Sequence, residues 1–336
     1  MRQTVISGSG RYLPPRVVTN HELCQRMDTS DEWIRQRTGI EQRHWVPEEG
    51  GVGASDLGLA AARIAMERAG WRPEDIDLII FATLSPDINF PGSGCLLQYK
   101  LGVTDTPALD IRQQCTGFLY GLEVADAYIR SGKAQRILFV GAEVHSTGLD
   151  ISDRGRDVTV IFGDGAAAVT LEPLESDQPV GVLASVVCAD GSLAESLMLE
   201  APTSRLSPRL DKAMLDEGRH YPVMDGRTIF KEAVRRLPQV ALKALKQAGL
   251  AKDDVDLYIP HQANLRINQA FQKSMGLPAE KVFHNIQRYG NTTAATIPLA
   301  YDEALEMNLI GPGSTVCFLG LGAGLTWGAV VYRLPG

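Results

Sequence analysis

The chain repeats itself at an offset of 179 residues, and this repeat limits the folds available to it. Ala69-Gly70, followed by an acidic and then an apolar stretch, recurs as Ala248-Gly249 with the same sequel. The apolar run at 137–141 recurs at 316–320. Matches in one order at one offset predict two similar α/β halves. Strands that alternate with helices further predict mostly parallel sheets covered by helices.

Each half closes with a glycine-rich turn that leads into an apolar run, Gly163-Asp164-Gly165 in the first and Gly322-Ala323-Gly324 in the second. We therefore predict an N-terminal half over 1–172 and a C-terminal half over 173–336. The stretch from Glu172 to about Arg227 is rich in proline, serine and charge. We interpret it as an insertion that shapes a substrate channel.

Composition and charge exclude several classes of protein. The net charge is -7, whereas a nucleic-acid or membrane-surface binder usually carries the opposite sign. No apolar run approaches the roughly 20 residues that span a bilayer, and the first ten residues lack a signal-peptide pattern. The five cysteines form no CxxC pair. These features predict a cytoplasmic protein with reduced thiols, four of them small buried residues.

Cys115 is the strongest candidate for a nucleophile. It follows a predicted buried strand at 108–111 and precedes a helical pattern that starts at Phe118. Gly117 allows a tight turn next to the sulfur. The start of a helix favours negative charge, so we expect a thiolate with a lowered pKa. A buried structural cysteine is the alternative, and Cys95, in similar glycine-rich surroundings, is a weaker competitor.

His261 and Asn291 are the candidate partners of the nucleophile. His261 ends the apolar strand 257–260, and functional groups in α/β folds tend to lie where strands end. The other histidines, at 21, 44, 145, 220 and 284, are interpreted as surface or core residues. Asn291 precedes a helix, which alone is typical of an N-cap. The repeat relates Cys115 to position 294, so both helix starts are expected to face one centre.

A Cys-His-Asn set also occurs in papain-like proteases, which leaves a hydrolase as an alternative. The sequence around Cys115 lacks the signature of those proteases, and the internal repeat does not fit them. A condensing enzyme is the favoured interpretation.

At these residues the chain resembles the β-ketoacyl-ACP synthase III family, the initiating condensing enzymes of type II fatty acid synthesis. The resemblance covers nearly the whole chain. It is carried by five motifs: Asp31-Glu32-Trp33-Ile34 with Arg37-Thr38-Gly39-Ile40, Gln114-Cys115-Thr116-Gly117-Phe118, Asp153-Arg154 with Phe162-Gly163-Asp164-Gly165-Ala166, Pro260-His261-Gln262-Ala263-Asn264-Leu265-Arg266-Ile267, and Gly290-Asn291-Thr292.

The resemblance implies the thiolase fold, two duplicated α/β halves in a layered αβαβα body, usually a homodimer. It implies that Cys115 takes an acyl group from acyl-CoA. His261 and Asn291 would then promote decarboxylation of malonyl-ACP by stabilising the enolate. Backbone amides of Cys115 and of the turn Gly322, Ala323, Gly324 would hold the second oxyanion. No metal or redox cofactor is implied, and no metal-site spacing occurs.

The resemblance also implies contacts with substrate and carrier protein. Trp33 and Arg154 match the pair that sandwiches the adenine of coenzyme A, and Arg37 matches a phosphate contact. Gly226 and Asn264 match contacts along the pantetheine arm. The basic residues that match the docking surface for acyl carrier protein are Lys231, Arg266 and Lys273.

Departures from the usual pattern keep other functions open. Gln114 stands where alanine is usual, and Ala323 replaces a glycine. The stretches around Arg112 and Arg156 are similar to condensing enzymes of alkylquinolone synthesis. The alternatives are therefore a related condensing enzyme of secondary metabolism or signal synthesis, a Cys-dependent acyl transferase or thioester hydrolase, and a non-catalytic acyl-binding protein. Release of carbon dioxide from a malonyl thioester separates the condensing enzymes from the others.

Overall fold

The computed structural model describes residues 2–336, and its strands and helices alternate along most of the chain. The strands are β1 (Arg2–Tyr12), β2 (Arg16–Thr19), β3 (Gln42–Trp45), β4 (Leu78–Ala82), β5 (Ala108–Ile111), β6 (Ile137–Glu143), β7 (Gly165–Glu175), β8 (Gly181–Ala189), β9 (Leu197–Leu199), β10 (Pro222–Met224), β11 (Leu257–Pro260), β12 (Thr315–Gly322) and β13 (Thr326–Arg333).

The helices vary in length from a single turn to several turns. They are α1 (Asn20–Cys24), α2 (Asp31–Thr38), α3 (Ala54–Ala69), α4 (Ser93–Leu101), α5 (Gly117–Arg130), α6 (Arg156–Thr159), α7 (Lys212–Asp216), α8 (Gly226–Ala248), α9 (Leu265–Met275), α10 (Ile286–Tyr289) and α11 (Thr296–Glu306). None of the helices within 2–336 is long and apolar enough to cross a membrane.

The predicted repeat is confirmed by two sheets with matching strand order. The first sheet runs β1-β7-β6-β4-β5 and the second β8-β13-β12-β11, so among the strands of 2–336 that form these sheets only β5 lacks a counterpart. Helices α3 and α8 end 179 residues apart, each followed by a glycine in the left-handed conformation, Gly70 and Gly249. Glycine adopts this conformation at little steric cost and therefore stops both helices at equivalent points.

The sheets are mixed, which corrects the expectation of mostly parallel sheets. In the first sheet β4 is parallel to both of its neighbours, β5 and β6, and in the second β11 is parallel to β12, whereas β7 and β13 are antiparallel to the strands on both of their sides. The physical reason is that the tight turn after β12 joins it to β13 as a hairpin, and only antiparallel strands can be joined so closely.

Three apolar clusters build five layers. The central cluster joins α5 and α11 to the inner faces of both sheets, with Phe118 in edge contact with Phe139 on one side and Phe318 on the other. Helices α3 and α4 cover the outer face of the first sheet, and α8 and α9 cover that of the second. The predicted αβαβα arrangement is thereby confirmed. Because both sheets share the central layer, the division at 172/173 into two domains stays a prediction.

The segment between β8 and α8 forms one wall of a large cavity. It contains β9, α7 and β10, and its apolar residues Leu197, Met198 and Pro222 line the cavity. The predicted channel-shaping segment is thus present, but it begins later than expected, because 181–189 is a strand of the second sheet.

Candidate active site

Cys115 lies on a single helical turn between β5 and α5, with 7% of its surface exposed. Gln114, just before it, has φ +44°, an uncommon conformation for a residue other than glycine. A Cβ atom on Gly322 would lie 2.5 Å from the Cβ atom of Cys115 and 3.0 Å from its sulfur. Only glycine at 322 therefore allows the turn after β12 to approach the thiol.

The thiol is held protonated, which corrects the expectation of a thiolate with a lowered pKa. Burial, together with the negative charge of Glu143, raises the pKa of Cys115 to about 12. Hydrogen bonds from the backbone amides of Cys115 and Ala323 act in the opposite direction but do not prevail. In the free enzyme, burial raises the pKa of the thiol more than the start of the helix lowers it, because water cannot stabilise a buried thiolate. The two amides already point at the sulfur.

His261 follows β11 and is 5% exposed. Its backbone N–H donates to the carbonyl of Leu319 on the neighbouring strand at 2.7 Å. Nδ1 lies 2.6 Å from Oγ1 of Thr296, whereas Nε2 is buried and has no partner within 2–336. Burial lowers the pKa of His261 to about 3, so the imidazole is neutral near pH 7.

Asn291 is fixed from both ends before α11. Its backbone N–H donates to the carbonyl of Ile161 at 2.9 Å. Its side-chain oxygen Oδ1 accepts from the backbone N–H of Thr293 at 2.8 Å. With Oδ1 occupied, the amide NH₂ is the end of the side chain that remains to donate towards the cavity.

One cavity of about 1140 Å³ brings the three residues together. Cys115, His261 and Asn291 line it, and so does the whole turn Gly322, Ala323, Gly324. The mirror relation predicted from the repeat is visible in the backbone. Gln114 (φ +44°) and Thr293 (φ +48°) are 179 residues apart and share the same uncommon conformation. A Cβ atom on Gly117 would lie 3.1 Å from that of Ala294, so the two helix starts meet.

Trp33 and Arg154 make no direct cation–π contact within 2–336, and two groups with an adenine between them need none, so their predicted sandwich stays a prediction. Arg154 donates to Asp150 at 2.5 Å, and its guanidinium lies 5.6 Å from the ring of Tyr221. The guanidinium groups near Trp33 are those of Arg37, at 5.2 Å from the ring centroid, and Arg156, at 5.5 Å. Trp33 and Arg37 line the cavity. The planar aromatic platform is therefore present, with Arg156 rather than Arg154 beside it.

Gly226 and Asn264 lie at the mouth of the cavity. Gly226 begins α8, and Asn264 caps α9 by accepting from the backbone N–H of Arg266 at 2.9 Å. The amide of Asn264 also donates to the carbonyl of Arg37 at 2.9 Å, which ties the second half to α2 of the first. Both residues are placed to contact a ligand that enters from the surface.

The three predicted basic residues are exposed on the neighbouring helices α8 and α9. Lys231 lies on α8, and Arg266 and Lys273 lie on α9. Arg266 lines the cavity mouth and lies 5.7 Å from the ring of Phe230. Within 2–336 none of the three forms an ion pair with a carboxylate, so their charges face solvent.

Sequence reasoning missed three groups that line the cavity or lie behind it. His145 and His220 line the cavity, although they were interpreted as ordinary surface or core residues. Nε2 of His145 lies 2.7 Å from Oγ1 of Thr293. Glu143 is fully buried and accepts from Ser85 and from backbone amides of Leu84 and Ala294. The one available signal was that 143–145 directly follow a buried apolar run.

The other cysteines differ from expectation in their burial. Cys317 is buried as predicted, Cys24 and Cys188 are half-buried, and Cys95 is exposed. Within 2–336 no cysteine is paired in a disulfide, and no cluster of three or more His, Cys, Asp or Glu side chains is arranged to hold a metal ion.

A duplicated, five-layered α/β body with a cysteine, a histidine and an asparagine around one cavity defines a condensing enzyme of the thiolase fold. Family models described as 3-oxoacyl-[acyl-carrier-protein] synthase III match residues 109–191, and those for its C-terminal part match 245–334. The chain belongs to this family, also called β-ketoacyl-ACP synthase III, and is an acyl-transferring enzyme.

Individual relatives match over almost their full length. The β-ketoacyl-ACP synthase III of Roseiflexus castenholzii is 44% identical over 98% of this chain and 97% of the relative. The solved 3-oxoacyl-ACP synthase III of Aquifex aeolicus is 42% identical with a TM-score of 0.88, covering 98% of this chain and 99% of that one. The Thermus thermophilus enzyme is 38% identical with a TM-score of 0.90, covering 99% of each chain.

Proposed function

We propose that the enzyme transfers an acyl group from acyl-CoA to Cys115 and condenses it with malonyl-ACP. The products are β-ketoacyl-ACP, coenzyme A and carbon dioxide, which is the initiation of type II fatty acid synthesis. The observation that carries this proposal is the convergence of Cys115, His261 and Asn291 on one cavity, with a glycine turn packed against the thiol.

The first step is acyl transfer. The sulfur of Cys115 attacks the thioester carbonyl, and the thiol proton ends on the sulfur of the departing coenzyme A. The amides of Cys115 and Ala323, which point at the sulfur, receive the oxyanion that forms next to it. They are fixed in place before the reaction, so they stabilise the charge without rearrangement.

The second step is decarboxylation and carbon-carbon bond formation. The thioester oxygen of malonyl-ACP lies between Nε2 of His261 and the amide NH₂ of Asn291. Nε2 of His261 is buried without a partner within 2–336, Oδ1 of Asn291 is occupied by Thr293, and both residues line the cavity. Loss of carbon dioxide leaves an enolate stabilised by these donors, and its carbon attacks the Cys115 thioester. The sulfur leaves as thiolate and takes up one proton from solvent, which restores the thiol. Every step uses two thioesters and groups of the chain, so the scheme requires no metal or redox cofactor.

We place the coenzyme A nucleotide at Trp33, with Arg37 and Arg156 beside the ring, and the pantetheine arm along Gly226 and Asn264. A guanidinium and an indole face suit an adenine with adjacent phosphates. Arg154, the partner of Trp33 that the resemblance implies, contacts Asp150 and Tyr221, so Arg156 is the guanidinium nearer to Trp33 and Arg154 is the second candidate for this contact.

We propose that the acyl carrier protein docks on Lys231, Arg266 and Lys273. The enzyme carries a net charge of -7, so an acidic partner needs a local basic patch to approach productively. These three charges are exposed on adjacent helices beside the cavity mouth.

We further propose a cytoplasmic homodimer. The outer edge of β5 has no neighbouring strand within 2–336, and Phe90 and Tyr99 near it are 83% and 81% exposed. Such exposed aromatic groups favour an interface with a second copy. A cysteine nucleophile and no disulfide within 2–336 fit a reducing compartment.

The experiment that tests this function follows carbon dioxide and product together. Enzyme preloaded with an acyl group is mixed with malonyl-ACP, and both carbon dioxide and β-ketoacyl-ACP are quantified. We expect the two in equal amounts from wild type and neither from His261→Ala or Asn291→Ala, although both variants still acylate Cys115. Free fatty acid without carbon dioxide would instead identify a thioester hydrolase.

A further inference from the structure

Thr296 contacts His261 directly but has no role in the scheme above. It is buried at the first position of α11, behind His261 as seen from the cavity. Its hydroxyl oxygen lies 2.6 Å from Nδ1 of His261 and 2.9 Å from the carbonyl oxygen of Thr293. Both distances are those of good hydrogen bonds.

A hydroxyl group carries one hydrogen, so it can donate to only one of these two neighbours at a time. The carbonyl of Thr293 can only accept. When the hydroxyl donates to that carbonyl, its contact with Nδ1 requires that Nδ1 carries a hydrogen. Nε2 then presents a bare lone pair to the cavity.

The second arrangement also leaves no polar group unpaired on the Nδ1 side of the His261 ring. If the hydroxyl turns to donate to Nδ1, the ring hydrogen lies on Nε2. The carbonyl of Thr293 does not lose its last partner, because it also accepts from the backbone N–H of Thr296. Rotation of the hydroxyl therefore removes one of the two hydrogen bonds that the Thr293 carbonyl accepts and leaves the other in place.

The ring must adopt one of these two neutral forms. Burial keeps His261 uncharged near pH 7, so it carries one ring hydrogen. Which nitrogen of a histidine holds that hydrogen is set by the hydrogen bond made by the other nitrogen. Here that other bond is to Thr296.

We propose that Thr296 is a positioning residue that selects the tautomer of His261. In the free enzyme its hydroxyl donates to Thr293 and Nδ1 of His261 is protonated. During decarboxylation it donates to Nδ1, so that Nε2–H faces the thioester oxygen. The proposal rests on the proposed role of His261 as a donor to the enolate.

The test compares Thr296→Val, which keeps the shape but removes the hydroxyl, with Thr296→Ser, which keeps the hydroxyl. Nitrogen-15 NMR of histidine-labelled enzyme reports which ring nitrogen is protonated, and the His261→Gln spectrum assigns the signal. We expect Nδ1–H in wild type and in Thr296→Ser, and no fixed preference in Thr296→Val.

The kinetic readout separates the two half-reactions. We expect Thr296→Val to lower the rate of malonyl-ACP decarboxylation by about 10- to 100-fold, the range found when a group that orients a functional histidine is lost. Acylation of Cys115 and the KM for malonyl-ACP should change less than about twofold, the size of a weak contact. Thr296→Ser should restore the rate.

Three results would overturn the proposal: Nε2–H in the free wild type, normal decarboxylation by Thr296→Val, or an equal loss of acylation and decarboxylation. His261→Ala is run in the same assays. If it decarboxylates normally, the proposed role of His261 fails as well, whereas a defect in His261→Ala with a normal Thr296→Val rejects the tautomer role alone.

Discussion

Cys115, the proposed nucleophile, is kept protonated in the free enzyme. Burial and Glu143 outweigh the two amides that favour a thiolate, and the pKa of the thiol is raised to about 12. The thiol is therefore protected from indiscriminate chemistry. It becomes reactive when a thioester carbonyl reaches the amides beside it, because the negative charge then moves onto an oxygen that they can bind.

This account predicts how alkylation of Cys115 depends on pH. Because the thiolate is a minor form, its fraction should rise about tenfold per pH unit from about pH 6 to 9. The rate of iodoacetamide alkylation, followed by peptide mapping so that exposed Cys95 is counted separately, should rise in parallel. A rate that levels off below about pH 8 would mean that the thiol titrates far lower than its burial implies.

The arginines near Trp33 provide a second prediction at this scale. Arg156→Ala should raise the KM for acyl-CoA by roughly fivefold, the size of an exposed cation–π contact of about 1 kcal/mol. Arg154→Ala is the matched control and should change KM less, because its guanidinium is held by Asp150. A larger rise in KM for Arg154→Ala than for Arg156→Ala, measured by steady-state kinetics, would assign the nucleotide contact to Arg154.

At the scale of elements, the site is built where two helix starts meet. The turns before α5 and α11 carry the same uncommon backbone at Gln114 and Thr293. Such conformations cost of order 1–3 kcal/mol and persist only where the surroundings enforce them. Thr293 is held by His145, which contacts its hydroxyl, and by Asn291, whose Oδ1 accepts from its backbone N–H.

The turn after β12 gives a prediction about close approach. A methyl group at Gly322 would lie 2.5 Å from the Cβ atom of Cys115. Gly322→Ala should therefore displace Ala323 or the thiol and lower the acylation rate by about 10²-fold, as when one oxyanion donor is lost. Gly311→Ala, where nothing lies within 4 Å, should acylate normally. Rapid-quench mass spectrometry measures both, and equal rates would exclude the close approach.

For the whole molecule, the repeat was the most informative property of the sequence. It predicted the paired sheets and the meeting of the helix starts that follow Cys115 and Asn291, because an offset that persists in order reflects duplicated architecture. The prediction of mostly parallel pairing was wrong, because the sequence shows the glycine-rich turn after β12 but not that it joins β12 to β13 as a tight antiparallel hairpin.

What the sequence could not supply is the environment of each group. The pKa of Cys115 depends on burial and on Glu143, which is 28 positions away in the chain. The links from His145 to Thr293 and from Thr296 to His261 join residues on different elements. Arg154 and Arg156 are two positions apart, and only their packing decides which one lies beside Trp33.

Buried neutral histidines predict acid sensitivity of the folded state. Burial lowers the pKa of His145 and His261 to about 3 and that of His284 to about 4. Between these values and about 6.5 the unfolded chain binds more protons, so stability falls as the pH falls. Glu143, whose pKa burial raises to about 7, acts in the opposite direction: its contribution to the stability of the folded state is lost as the pH rises through about 7.

The contribution of one histidine can be isolated by substitution. Each buried neutral histidine should cost about 2 kcal/mol of unfolding free energy between about pH 7.5 and 5. Urea unfolding of His145→Gln should therefore show a pH dependence smaller by about that amount than wild type. His21→Gln, at an exposed position, serves as the control. An unchanged pH dependence in His145→Gln would contradict the burial of a neutral imidazole there.

The central claim is that Cys115 carries the acyl group, and intact-protein mass spectrometry tests it most directly. Wild type and Cys115→Ala are incubated with acyl-CoAs from acetyl to decanoyl. We predict one acyl adduct on wild type and none on Cys115→Ala, with the chain length that loads best identifying the primer. An adduct of equal yield on Cys115→Ala, or no adduct from any acyl-CoA, would contradict the assignment of Cys115 as the residue loaded from coenzyme A.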